Sequence, residues 1–116
     1  MLNRGAVILK YKEPAIRWVN EADPVKEDRP VRSKDLENER TVYLVDVLDV
    51  DGKQAVEEWI AANFKTLFED ELESWYTDTA LWPKTRTITV FREWFDVEYH
   101  SVIRDTVGGP VFDDEA

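Results

Sequence analysis

Between Lys53 and Tyr76 apolar residues recur at helical spacing, and one acid stands inside the repeat. Val56, Ile60, Phe64, Leu67, Phe68 and Trp75 fall on a single stripe when residues are placed at roughly 100° per step. A helix of this length with one apolar face needs a second layer to cover it. Glu57, Glu58, Glu69, Asp70 and Glu73 make the rest of its surface acidic, but Glu71 lies within the stripe, between Leu67 and Trp75. A carboxylate on a buried stripe must be neutral or paired, because its unpaired burial is costly. Arg86, Arg92 and His100 are the partners the sequence offers. The alternatives are a purely structural ion pair, or a bend near residue 70 that turns Glu71 outward.

The second layer is read from three segments. Residues 6–12 form a short apolar run ending in alternation, as a mostly buried strand does. Residues 41–47 are rich in β-branched and aromatic side chains, and residues 95–106 alternate Phe95, Val97, Tyr99, Ser101 and Ile103 against polar neighbours. Pro14 suits the first turn of a short helix over 14–22, with a second strand as the alternative. Residues 85–94 carry conflicting signals. Their threonines favour a strand, whereas Ile88, Phe91, Trp94 and Phe95 have helical spacing, and spacing predicts a helix. Asp51 and Gln54 match a capping box ahead of the long helix. The expected fold is a single α+β domain over residues 1–116. A small, mostly antiparallel sheet of about three strands carries the long helix and shorter ones. Residues 23–40 form an extended charged loop and 108–116 a frayed acidic tail.

Composition narrows the function classes. The chain has no cysteine, which removes disulfides, thiolate metal ligands and cysteine nucleophiles. Its formal charge of −10 is concentrated in residues 41–80, with ten acidic against two basic side chains. Such a surface is repelled by nucleic acid and by anionic lipid. It favours solubility, a basic protein partner, or imitation of nucleic acid. No apolar run approaches the roughly 20 residues that cross a bilayer, and the N-terminal run is too short for a signal-peptide core. A cytoplasmic protein without membrane or nucleic-acid partners is expected.

No motif assigns a chemistry. Asp49, Asp51, Gly52 and Glu58 match four positions of a calcium-binding loop, but its first ligand position is Val47, so a turn and helix cap explain them better. Asp96, Glu98 and His100 share one face of the last strand. Alternate residues there lie about 6.5 Å apart, so neighbours can meet while all three span too far for one ion. Ser101 follows the only histidine but points to the opposite face, which excludes a Ser–His dyad. Phosphate-loop, dinucleotide and paired-histidine zinc patterns are absent. No catalytic residue, metal ligand or cofactor is assigned. The one speculative ligand-binding set is Glu71, Trp75, Trp82, Arg86, Trp94 and His100, with the tryptophans forming an aromatic pocket. The same aromatics serve equally as core or as interface residues.

At Trp82-Pro83, Arg86, Phe91, Trp94-Phe95 and His100-Ser101 the chain resembles a family of small uncharacterised bacterial proteins with no known activity. Trp18 after Pro14, and Tyr43-Leu44, share the likeness. The resemblance implies a bacterial cytosolic α+β domain and transfers no functional residue. Two functions are expected from different classes. The first is a non-enzymatic interaction module, forming a homodimer or binding a basic partner. The second is a small-molecule-binding domain or minor enzyme using Glu71, Arg86 and His100 beside the tryptophans. Nucleic-acid mimicry is a further alternative.

Overall fold

Alternation along the first strand decides which side of the sheet is covered. Val7 and Leu9 are fully buried, whereas Lys10, next along the strand, is exposed. The computed structural model describes residues 2–23, 30–37, 40–46 and 52–113. Strand β1 (Arg4–Tyr11) leads into helix α1 (Glu13–Glu21), then strand β2 (Val42–Asp46), helix α2 (Gly52–Trp75), helix α3 (Ile88–Trp94) and strand β3 (Phe95–His100). Short 3₁₀ turns occupy Ser33–Leu36 and Thr79–Leu81. β1 is central and antiparallel to both neighbours, giving the order β2-β1-β3. The fold is therefore α+β, with one long helix and a three-stranded antiparallel sheet.

Register then assigns each side chain to a face. Val7 stands opposite Tyr43 on one side and Tyr99 on the other, and Tyr11 opposite Phe95. These residues share the covered face, because side chains two apart point the same way. The other face carries Ile8, Val42, Leu44, Lys10, Asp96, Glu98 and His100, with no helix among the described residues packed over it. Val42 and Leu44 there are 52% and 53% exposed.

The core forms where α2 meets α3 and the covered face. Ile60, Leu67, Phe68 and Leu72 are buried on α2, following the stripe. Phe68 is fully buried, with ring centroids 5.8 Å from Phe91, 5.3 Å from Trp94 and 5.6 Å from Phe95. Edge-on aromatic packing of this kind adds to the apolar burial itself. Gly5 is needed on the same face: a Cβ there would lie 2.6 Å from Cε1 of Tyr99.

Most expected elements appear within a residue or two. Pro14 sits in the first turn of α1. The ambiguous 85–94 segment contains the helix α3, begun by Thr87, whose hydroxyl accepts the Val90 N–H at 3.3 Å. Thr85 and Thr87 lie ahead of the helix, the latter capping it, which resolves their conflict with its spacing. One boundary is corrected: the last strand ends at His100, not Thr106. Leu2 donates to the Ile103 carbonyl beyond it, an isolated bond without a ladder. Val47, Asp49 and Asp51, and with them the capping box and the start of the rejected calcium loop, lie outside the described residues, as do 24–29 and 38–39 of the expected loop.

Candidate functional site

Among the described residues Glu71 is the one charged residue in the buried core, 6% exposed on the inner stripe of α2. Its burial is as the stripe predicts, but its partners are not those that charge matching predicts. Tyr11 donates to Oε1 at 2.8 Å, and Tyr43 is hydrogen-bonded to Oε2. Arg92 instead pairs with Glu57 on the surface at 2.7 Å, Arg86 donates to the Pro83 carbonyl at 2.7 Å, and His100 pairs with Glu98 at 2.7 Å. The physical reason is the sheet register. Tyr11 and the residue facing Tyr43, Val7, are four positions apart on β1. Their backbones stand about 13 Å apart along the strand. Two phenol side chains leaning toward each other over that span meet at one point, and α2 places Glu71 there.

The network extends at both ends. Trp75, one helical turn after Glu71, donates its indole N–H to the Tyr11 hydroxyl oxygen at 2.8 Å. Tyr43 also lies 2.8 Å from Oδ2 of the exposed Asp70. Ser74 donates to the Glu71 backbone carbonyl at 2.6 Å, tying its hydroxyl back to the helix. Burial pushes the Glu71 carboxyl above the ordinary 4.5, and the two phenol hydrogen bonds only partly offset it. Tyr11 and Tyr43 are pushed well above the ordinary phenol value by burial first, with the adjacent carboxylate adding to it.

This cluster forms the wall of a cleft. Tyr11, Leu36, Arg40, Thr41, Glu71, Ser74 and Trp75 line an inner hollow of about 200 Å³. A shallower hollow of about 470 Å³, bordered by Lys10, Ser33 and Glu37, shares Tyr11, Leu36 and Arg40 with it. The 3₁₀ turn supplies the buried Leu36 as an apolar wall. Arg40 bonds the Glu37 carbonyl at 3.3 Å and makes no ion pair among the described residues.

Of the six residues singled out from the sequence, Glu71 and Trp75 line this cleft and the others lie elsewhere. Trp94 packs into the core between Trp18 and Phe68, at centroid distances of 5.7 and 5.3 Å. Trp82 donates to the Tyr76 carbonyl at 2.7 Å, with Arg86 stacked 5.9 Å over its ring. Arg86 borders a separate hollow of about 250 Å³ with Lys65, Glu69 and Lys84. His100 is on the open face of the sheet, separated from Glu71 by the sheet itself. None of these hollows is lined by Trp75, Trp82 and Trp94 together.

Tyr11, Tyr43 and Arg40 belong to the cleft although no sequence motif marks them. The two tyrosines do carry a signal: both occupy inward positions of apolar strands, where an aromatic body can be buried only if its hydroxyl finds a partner. Arg40 carries none, since nothing in its local sequence pattern points to the cleft. Among the described residues no group of three or more His, Asp or Glu is placed to hold a metal ion. No helix among them is long and apolar enough to cross a membrane. Compared with protein families, curated proteins and solved structures, the chain matches none.

Proposed function

We propose that this protein is a small-molecule-binding domain whose site is the cleft lined by Tyr11 of β1, by Leu36, Arg40 and Thr41, and by the C-terminal half of α2. One observation carries the reading: the buried carboxyl borders an open hollow instead of being sealed in the core. A leucine at position 71 would complete the apolar stripe without the cost of burying a polar group. The glutamate is held by two phenols, and the hollow beside it has an aromatic wall at Trp75 and is lined also by Leu36, Arg40 and Thr41. Concave sites with apolar walls and a few convergent polar groups are the usual form of ligand sites. The inner hollow fits a compact molecule.

A thermal-shift screen of small metabolites, with tryptophan fluorescence as a second readout, tests this reading. Hits should quench Trp75. Their effect should be lost in Thr41→Trp, which fills the hollow, and reduced in Arg40→Ala. Hits that survive both substitutions would place binding elsewhere and end the proposal.

A second reading, as an interaction module, is supported by the open sheet face. Val42, Leu44 and Ile8 form an apolar patch there between charges of both signs, so two copies could meet without juxtaposing like charges. Light scattering decides it. A mass above monomer that reverts on Leu44→Lys favours the dimer, and a strictly monomeric wild type removes it. Cytoplasmic location and a bacterial origin belong to the same proposal and rest on the sequence alone.

A further inference from the structure

A surplus of positive charge lies at a hollow apart from the cleft. Lys65, Lys84 and Arg86 line a space of about 250 Å³ together with Glu69. Three cations face one carboxylate there, in a chain whose formal charge is −10. Lys65 is one of only two basic residues between positions 41 and 80. Two parts of the fold build the hollow. Lys65 and Glu69 stand one turn apart on α2, and Lys84 and Arg86 belong to the segment between the Thr79–Leu81 turn and α3.

Elsewhere on this surface arginines next to acids form ion pairs, as Arg92 does with Glu57 and Arg32 with Asp35. At the hollow they do not. Among the described residues Glu69 pairs with none of the three cations, and neither lysine has an ion-pair partner. Lys65 preceding Glu69 by four is also the less favourable order for such a pair on a helix. Arg86 is fixed by neutral groups instead. Its Nη1 donates to the Pro83 carbonyl at 2.7 Å, and its guanidinium carbon lies 5.9 Å over the Trp82 ring. A guanidinium has five N–H donors, and the rest have no acceptor among the described residues. Half-buried and stacked, Arg86 is a preorganised fork without a counter-ion.

We propose that this hollow binds a phosphoryl dianion, free or carried by a small ester. Three cations less one carboxylate match the charge of a dianion, and a fork flanked by two ammonium groups suits tetrahedral oxygens. No apolar side chain lines the hollow, so the anionic group itself is what is recognised. Its volume is below the roughly 300–1,000 Å³ of sites that enclose drug-sized molecules, and suits a phosphoryl group with the first atoms of its ester. The net negative charge of the chain opposes approach from afar. Salt screens that field beyond about 8 Å in physiological conditions, and the local surplus then decides. This site is independent of the cleft beside Glu71.

Titration with glycerol phosphate, read by NMR at the Trp82 indole N–H and the Arg86 Nε–H, tests the proposal. Saturable shifts at both are expected, and acetate at matched ionic strength should produce none. Binding should be roughly fourfold tighter at pH 7.5 than at pH 5.5, because the ester loses its second proton near pH 6. Glu69 is the one titratable acid lining the hollow. Glu69→Gln should tighten binding at both pH values and leave their ratio in place. Lys65→Ala and Lys84→Ala, at exposed positions, should each weaken binding severalfold without changing the melting temperature. Arg86→Lys keeps the charge but loses the fork, and should weaken binding at least about tenfold. Inorganic phosphate binding as tightly as the ester identifies the free ion as the ligand, and tighter binding of the ester identifies the ester. Shifts that do not saturate, that acetate reproduces, or that persist at full affinity in both lysine variants overturn the proposal.

Discussion

Glu71 and Glu98 are two glutamates on opposite sides of one thin sheet, and each accepts short hydrogen bonds from its own partner. Their carboxyls are nevertheless pushed in opposite directions. Glu98 sits on the open face, where the His100 hydrogen bond is the largest influence and holds its carboxyl below the ordinary value. Arg40 and Lys10 pull it the same way. Glu71 has two phenol partners, yet burial outweighs them and moves it upward. The difference teaches that hydrogen-bond number does not decide ionisation here. Solvation does, and the sheet is the boundary between wet and dry.

The strongest way to break this contrast is to delete each carboxyl in turn. Glu71→Ala should lower folding stability by about 2–4 kcal/mol in chemical denaturation, since it opens a cavity and leaves two buried phenols without their acceptor. Glu71→Gln should retain most of that stability and flatten its pH dependence. The sign follows from the upward shift. The contribution of Glu71 is complete below the unfolded value of 4.5 and is lost as pH rises through the higher folded value. A wild type that gains stability over that window would reverse the contrast.

Packing on the covered face supplies the next effect. Gly5→Ala should destabilise by about 1–3 kcal/mol, because the new methyl meets the Tyr99 ring. An unchanged melting temperature in Gly5→Ala would mean the ring moves aside freely. Tyr99→Phe should stabilise by about 1 kcal/mol, since the Tyr99 hydroxyl is buried without a partner. A calorimetric melt that falls in this variant would show that the hydroxyl is satisfied in solution.

The smallest effect is expected on the open side. Glu98→Gln and His100→Ala should leave the unfolding midpoint unchanged within error, because solvent replaces the exposed pair. A clear loss in either would mean that the open face is covered in solution. It would favour the dimer over the isolated domain.

Much of the fold is legible in the sequence because its signals are local. The α2 stripe, the Pro14 start of α1 and the alternation of Phe95 through His100 each follow from helical or strand periodicity. The place of Glu71 inside the stripe is equally legible. Its partners are not, since charge matching points to Arg86, Arg92 and His100. Charge matching takes no account of the sheet, which puts His100 on the far face, or of the local contacts that hold the two arginines away from α2's inner stripe. The tryptophans show the same limit: their proximity in sequence suggests one pocket, but a turn and a helix distribute Trp75, Trp82 and Trp94 to three surroundings.

The sequence by itself determined that a long acidic helix would carry one carboxyl on its apolar stripe, and that this carboxyl, where buried, must be neutralised or paired. It determined this because helical spacing and the cost of burying charge are properties of the chain and of water. Only the tertiary structure decided that two tyrosines would meet Glu71, and that Leu36 and Thr41 would line a hollow beside it. Those placements depend on strand register and on how α2 crosses the sheet, which bring Tyr11 to Glu71, 60 positions away. The polar tip of a tyrosine does not record in sequence which distant group it will reach.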